Sequence, residues 1–349
     1  MAKFLTLCFL FVTYYPLAGG GFWESEEERS SYLDLVWEYH LDNFNSRNYS
    51  RGVKILFDNF EEETKKLLVP GKLRKAGIKI YTNSGSGIAT PKELVIAVID
   101  ELVQRGFKRK ELFILDVSEH DLRSSGFVPP LSKKTDEVAF VGVPVYILET
   151  KKYYDKLWYH ESPLPSQSQL AHATELIGDY GEQLGDTDRK SYLPKPLLTD
   201  VDFWVNLPIA LDNRILGITG VLANATLWAI SNRDRFFVSP ANGPIAIAEI
   251  AAIPELKSGW AFSIISLERY QFIGGPIFNS LYTRSEPLLW MSINPVILDA
   301  LMVKRFKYHK KENGFNKATR SNQLFNYAQS LGVGHYNQNR IQWIQLPQE

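Results

Sequence analysis

Ile78-Lys-Ile-Tyr-Thr-Asn-Ser-Gly-Ser-Gly-Ile-Ala-Thr-Pro-Lys-Glu93 is the stretch on which the fold turns. Residues 78–82 read as a short strand. Residues 83–87 read as a flexible turn, with Gly85 and Gly87 among small polar residues. Thr90-Pro-Lys-Glu93 has the form of a capping box with proline at the first helical position. The helix it opens should run to about Arg105, where Gly106 is a good terminator. Residues 112–115 form the next strand, closed by Asp116. Strand, helix and strand in this order imply a parallel pair with a right-handed crossover.

The alternation continues toward the C-terminus. Strands are expected at 203–207, 262–267, 288–293 and 341–344, and helices at 242–253 and 321–331. Asn294-Pro295 should cap a helix running to about Tyr308. Residues 215–230 fit either a helix or a partly buried apolar loop. Upstream, residues 24–44 read as a helix too broadly apolar for a free surface, and 53–68 as a second helix ended by Pro70-Gly71. The expected architecture is α/β: a mostly parallel sheet flanked by helices. A helical N-terminal segment over 21–75 should precede the α/β domain at 76–349. A long polar loop is inserted at 153–195, with a short helix near 170–177.

Composition bounds the function. Hydrophobic residues make up 45% of the 349, enough for one large α/β domain or two modest ones. The 39 basic and 39 acidic residues cancel, so nothing favours a nucleic-acid partner. Lys3 is the only charge among the first twenty residues, followed by an apolar run and then Ala18-Gly-Gly20. This is the pattern of a signal peptide over 1–20 and predicts an exported protein, periplasmic or secreted. The run is too short for a stable transmembrane span. The single cysteine, Cys8, lies inside it. A chain cleaved there has no disulfide and no cysteine-ligated iron–sulfur cluster.

Five segments, in order, resemble the family catalogued as domain of unknown function 362 (DUF362). They are the strand, turn and Thr-Pro helix start at 78–91, Leu197-Leu-Thr-Asp-Val-Asp202 leading to Asn206-Leu-Pro208, Gly217-Ile-Thr-Gly220 with Asn224, Gly274-Gly-Pro276, and Asn294-Pro-Val-Ile-Leu-Asp299. The resemblance covers residue 78 to the C-terminus and implies an α/β fold. It also implies charged positions that this chain replaces. The lysine and histidine usual after Asn-Leu-Pro give way to Ile209-Ala-Leu-Asp-Asn-Arg214, the lysine before Asn224 to Ala223, and the aspartate before Pro-Val to Asn294. The resemblance therefore implies a degenerate site.

Four places could carry chemistry. The 83–91 turn offers Gly85, Gly87 and Thr90 before a helix, which suits an anion. The third glycine of a dinucleotide fingerprint is missing. Asp116, Glu119 and His120 follow a strand end, where ligands of open α/β sheets gather. They could do acid–base work. Asn206 sits at the mouth of the next strand, while Asp200 and Asp202 read as turn residues. Arg214, Asn224, Arg233 and Arg235 could restore lost positive charge. The cofactor is left open, and the expected partner is a small anionic ligand or a protein. Two readings follow: a binding or interaction protein with a degenerate site, or an enzyme on a small anionic substrate.

Overall fold

The computed structural model describes residues 21–130, 138–161, 190–237, 242–315 and 322–347. Its strands are β1 (Leu35–His40), β2 (Ala76–Ile80), β3 (Leu112–Asp116), β4 (Ala139–Phe140) and β5 (Val143–Ile147). Then come β6 (Tyr154–Glu161), β7 (Lys190–Pro194), β8 (Phe203–Leu207), β9 (Ala210–Asn213) and β10 (Gly217–Thr219). The last five are β11 (Trp260–Ser266), β12 (Tyr270–Gln271), β13 (Thr283–Arg284), β14 (Leu288–Ser292) and β15 (Gln342–Leu346). Nine strands form one mixed sheet in the order β15-β1-β14-β11-β8-β2-β3-β5-β4. The block from β11 to β5 is parallel throughout. β14 runs antiparallel to both neighbours, while β1 and β15 are parallel to each other. The fold is α/β, as the alternation implies.

Both faces of this sheet are covered at its centre, where β2, β3, β8 and β11 are buried throughout their length. Helices Ser46–Thr64 and Lys92–Gln104 cover one face, where Phe57 and Phe60 meet Ile78, Ile114 and Phe262. Helices Val221–Ala225, Asn242–Ala251 and Pro295–Glu312 cover the other, where Ile297 and Leu222 join Leu115, Trp204 and Trp290. A four-stranded sheet, β10-β9-β12-β13, adjoins this second layer.

Several elements differ from expectation. Residues 24–44 are not one helix: a single turn at Glu26–Ser30 leads into β1, which lies between β14 and β15. Continuous apolar character describes a strand covered on both faces as well as a buried helix, and Leu35-Val-Trp favours the strand. The N-terminal residues are thus woven into the main sheet. The buried guanidinium of Arg29 donates to the carbonyls of Val333 and Ile293, both at 3.2 Å. Burial lowers its pKa to about 10. The second helix, expected over 53–68, begins earlier, at Ser46, with Asn45 as its cap.

Pro91, not Thr90, precedes the helix Lys92–Gln104, and no side chain caps that end. The apolar stretch 215–230 divides into β10 and the short helix Val221–Ala225. The loop expected over 153–195 begins and ends as an antiparallel pair, β6 with β7. The short helix expected at 170–177 lies outside the described residues, as do residues 1–20. Among the described residues, no helix is long and apolar enough to cross a membrane.

Candidate functional site

The carboxyl ends of β2, β3 and β8 meet over a buried polar network that begins with Lys79. Lys79 lies opposite Asn206 of β8, Asn206 opposite Ser263 of β11, and Ser263 opposite Ser292 of β14. The pleat sends these four side chains to one face, and all four are buried. Lys79 Nζ donates to Asp116 Oδ1 at 3.0 Å, to Asn224 Oδ1 at 2.9 Å and to the Ile80 carbonyl at 2.6 Å. An ammonium has three donors, so Lys79 is saturated. Asp116 Oδ2 accepts from the Thr82 amide at 2.8 Å and its hydroxyl at 2.7 Å, and Asn83 Nδ2 reaches Oδ1 at 3.2 Å. Burial pushes the pKa of Lys79 down, and Asp116 opposes it.

Asn224 links this pair to the rest of the row. Its amide donates to Asn206 Oδ1 at 2.7 Å, and Asn206 in turn donates to the Val221 carbonyl at 2.9 Å. Asp299, from the helix Pro295–Glu312, accepts the amides of Val221 at 2.7 Å and Leu222 at 3.0 Å. It thereby fixes the short helix that carries Asn224. Burial raises the pKa of Asp299 from 3.8 to about 7, with the two amide bonds opposing the rise.

The folded chain then holds a proton that the unfolded chain has released between those two values. That contribution to stability falls as pH rises from about 4 to about 7, by at most about 1.4 kcal/mol per unit. Asp299→Asn should flatten it. Urea unfolding of both proteins at about pH 5 and about pH 7.5 checks this; equal differences between the two pH values would count against it.

The structure brings Asp116, Asn206, Asn224 and Thr90 together. Thr90 accepts from the Tyr81 amide at 2.9 Å and donates to the Leu207 carbonyl at 2.7 Å, so it ties the turn back onto β2 and β8. Gly85 adopts φ +82 with open space where a Cβ would stand, so its role is conformational. Gly87 is needed for close approach: a Cβ there would come within 2.3 Å of the Phe278 ring. Glu119 and His120 lie on the surface helix Glu119–Ser124, with Glu119 paired to Arg123. Arg214 is exposed on the turn between β9 and β10. Asp202 accepts the amides of Gly71, Leu73 and Lys75, the turn role expected of it.

Sequence reasoning missed Lys79, Tyr81 and Trp228. Above the network, Tyr81 packs against Trp228 with ring centroids 5.8 Å apart, and its hydroxyl is 2.8 Å from that of Ser84. The Arg233 guanidinium lies 5.5 Å from the Trp228 ring centroid. Its charge is near enough to bear on Lys79, Tyr81 and Tyr154. Its Nη1 is buried without a hydrogen-bond partner among the described residues. Among the described residues, no group of three or more His, Cys, Asp or Glu side chains is placed to hold a metal.

No known family model matches this chain, and no curated protein matches it. A crystal structure of a Thermotoga maritima protein is similar at 11% identity and a TM-score of 0.38, covering 78% of this chain. The match spans 60% of that protein.

Proposed function

We propose that this is an exported binding protein without catalytic chemistry at the carboxyl edge of its sheet, where it takes a small anionic ligand. The observation that carries the reading is the saturation of Lys79 and Asp116 by buried partners. A general acid or base must reach the proton it moves, and Asp116 is turned inward with no exposure. The unmet donor of Arg233 beside Trp228 supports an anion as the ligand, since guanidinium pairs well with carboxylate and phosphate. The order of the five segments supports a relationship to the 362 family. The neutral residues at its usual charged positions accord with a binding role. Export is proposed from the pattern of residues 1–20.

Titration with inorganic phosphate and with malonate, followed by calorimetry, tests this reading. Saturable binding is expected, weakened about tenfold or more by Arg233→Ala. His120→Ala should leave it unchanged. Binding indifferent to Arg233→Ala would remove the site.

A further inference from the structure

A cleft of about 810 Å³ lies between the β14-β1-β15 side of the sheet and the helix Pro295–Glu312. That is an ordinary size for a small-molecule site. It shares no residue with the Lys79 network. Two of its walls are aromatic and open to solvent: Trp343 is 41% exposed and Tyr308 59%. Trp343 stands edge-on to Trp290, with centroids 5.8 Å apart. Arg305 lies over the Trp290 ring at 4.4 Å.

Charged side chains of both signs line this cleft. Glu286 pairs with Arg305 at 2.7 Å and accepts from the Tyr270 hydroxyl. Lys304 donates to Gln338 at 3.0 Å. Arg284 stacks on Phe272 at 4.7 Å and donates to the Thr283 carbonyl at 2.9 Å. Of these contacts, only Glu286–Arg305 joins opposite charges, and cations and carboxylates stand on the same walls, so neither sign of ligand is favoured throughout. Glu38 accepts the Trp290 indole N–H through Oε2 at 2.7 Å, and among the described residues Oε1 has no donor. Arg305 Nε is buried without a partner among the described residues. An open acceptor and an open donor thus belong to side chains that both contact one indole.

We infer that this cleft binds a neutral saccharide, whose apolar C–H face lies on Trp343 and whose hydroxyls meet Glu38 and Arg305. A hydroxyl both donates and accepts, so neighbouring hydroxyls can meet an unpaired acceptor and an unpaired donor together. Indole and phenol rings offer apolar area with little conformational entropy to lose. A cation would meet Arg284, Lys304 and Arg305 on the same walls, and an anion would meet Glu38 and Glu286.

Tryptophan fluorescence of the full chain, titrated with cellobiose, maltose and N,N′-diacetylchitobiose, tests the inference. Inorganic phosphate and tetramethylammonium serve as charged probes. At least one disaccharide should give a saturable change. Trp343→Ala, on the surface, should weaken it about tenfold or more, and Glu38→Gln severalfold. Arg233→Ala should leave it unchanged, which separates this cleft from the anion site. The inference is overturned if none of the three sugars binds, if Trp343→Ala binds them as the native chain does, or if only a charged probe binds in a Trp343-dependent way.

Discussion

Replacing Asp116 by alanine is expected to lower the unfolding free energy by about 3–5 kcal/mol. The loss has two parts. Lys79 keeps its ammonium in a position with no exposure and no opposite charge, and the Thr82 amide and hydroxyl lose their acceptor. A whole domain is stable by only about 5–15 kcal/mol, so much of the variant should be unfolded or close to it. Lys79→Met combined with Asp116→Asn should recover part of the loss, because the stranded charge is gone and Asn still offers an oxygen to Thr82. Urea unfolding of Lys79→Met, of Asp116→Asn and of the double variant forms the cycle. Losses that simply add would show that the two residues do not act as a pair.

Asn294→Asp should cost a similar amount, about 3–5 kcal/mol, although aspartate is ordinarily a good helix cap. Asn294 Oδ1 accepts the amides of Val296 at 3.1 Å and Ile297 at 3.2 Å. Its amide group donates to the carbonyls of Leu33 at 3.0 Å and His335 at 2.9 Å. A carboxylate keeps the first pair and sets its second oxygen against two carbonyl oxygens in a fully buried place. The introduced group should therefore have a raised pKa in the fold. The loss should be smallest at acid pH, where the protonated group can donate once, and should grow as pH rises toward neutral. Asn294→Ser, which keeps only the cap, should fall between the two. A fully stable Asn294→Asp would contradict this account. This site needs a donor as well as an acceptor, which an amide supplies and a carboxylate does not.

The elements legible in the sequence are those whose pattern is local. The β2–helix–β3 unit is one continuous stretch, Ala76–Asp116, and β8 and the Asn294 cap each announce themselves within a few neighbouring residues. β1 was not legible, because the neighbours that make it a strand, β14 and β15, lie far along the chain. Lys79 was hidden for a related reason. Ile78-Lys-Ile80 looks like a strand with one wet face. What keeps the lysine buried is Asp116 and Asn224, 37 and 145 residues away. Asp116 was correctly placed at a strand end, but its partners, which decide its chemistry, were not visible from its own surroundings. The cleft gathers Glu38, Glu286, Arg305 and Trp343, which no short window contains.

The placement of β1 has a consequence for synthesis. Trp37 lies between Met291 and Ile344, so this segment takes both its neighbours from residues made long after it. A ribosome delivers the chain from the N-terminus at about 5–20 residues per second. Leu35-Val-Trp must therefore wait, apolar and unpaired, for tens of seconds.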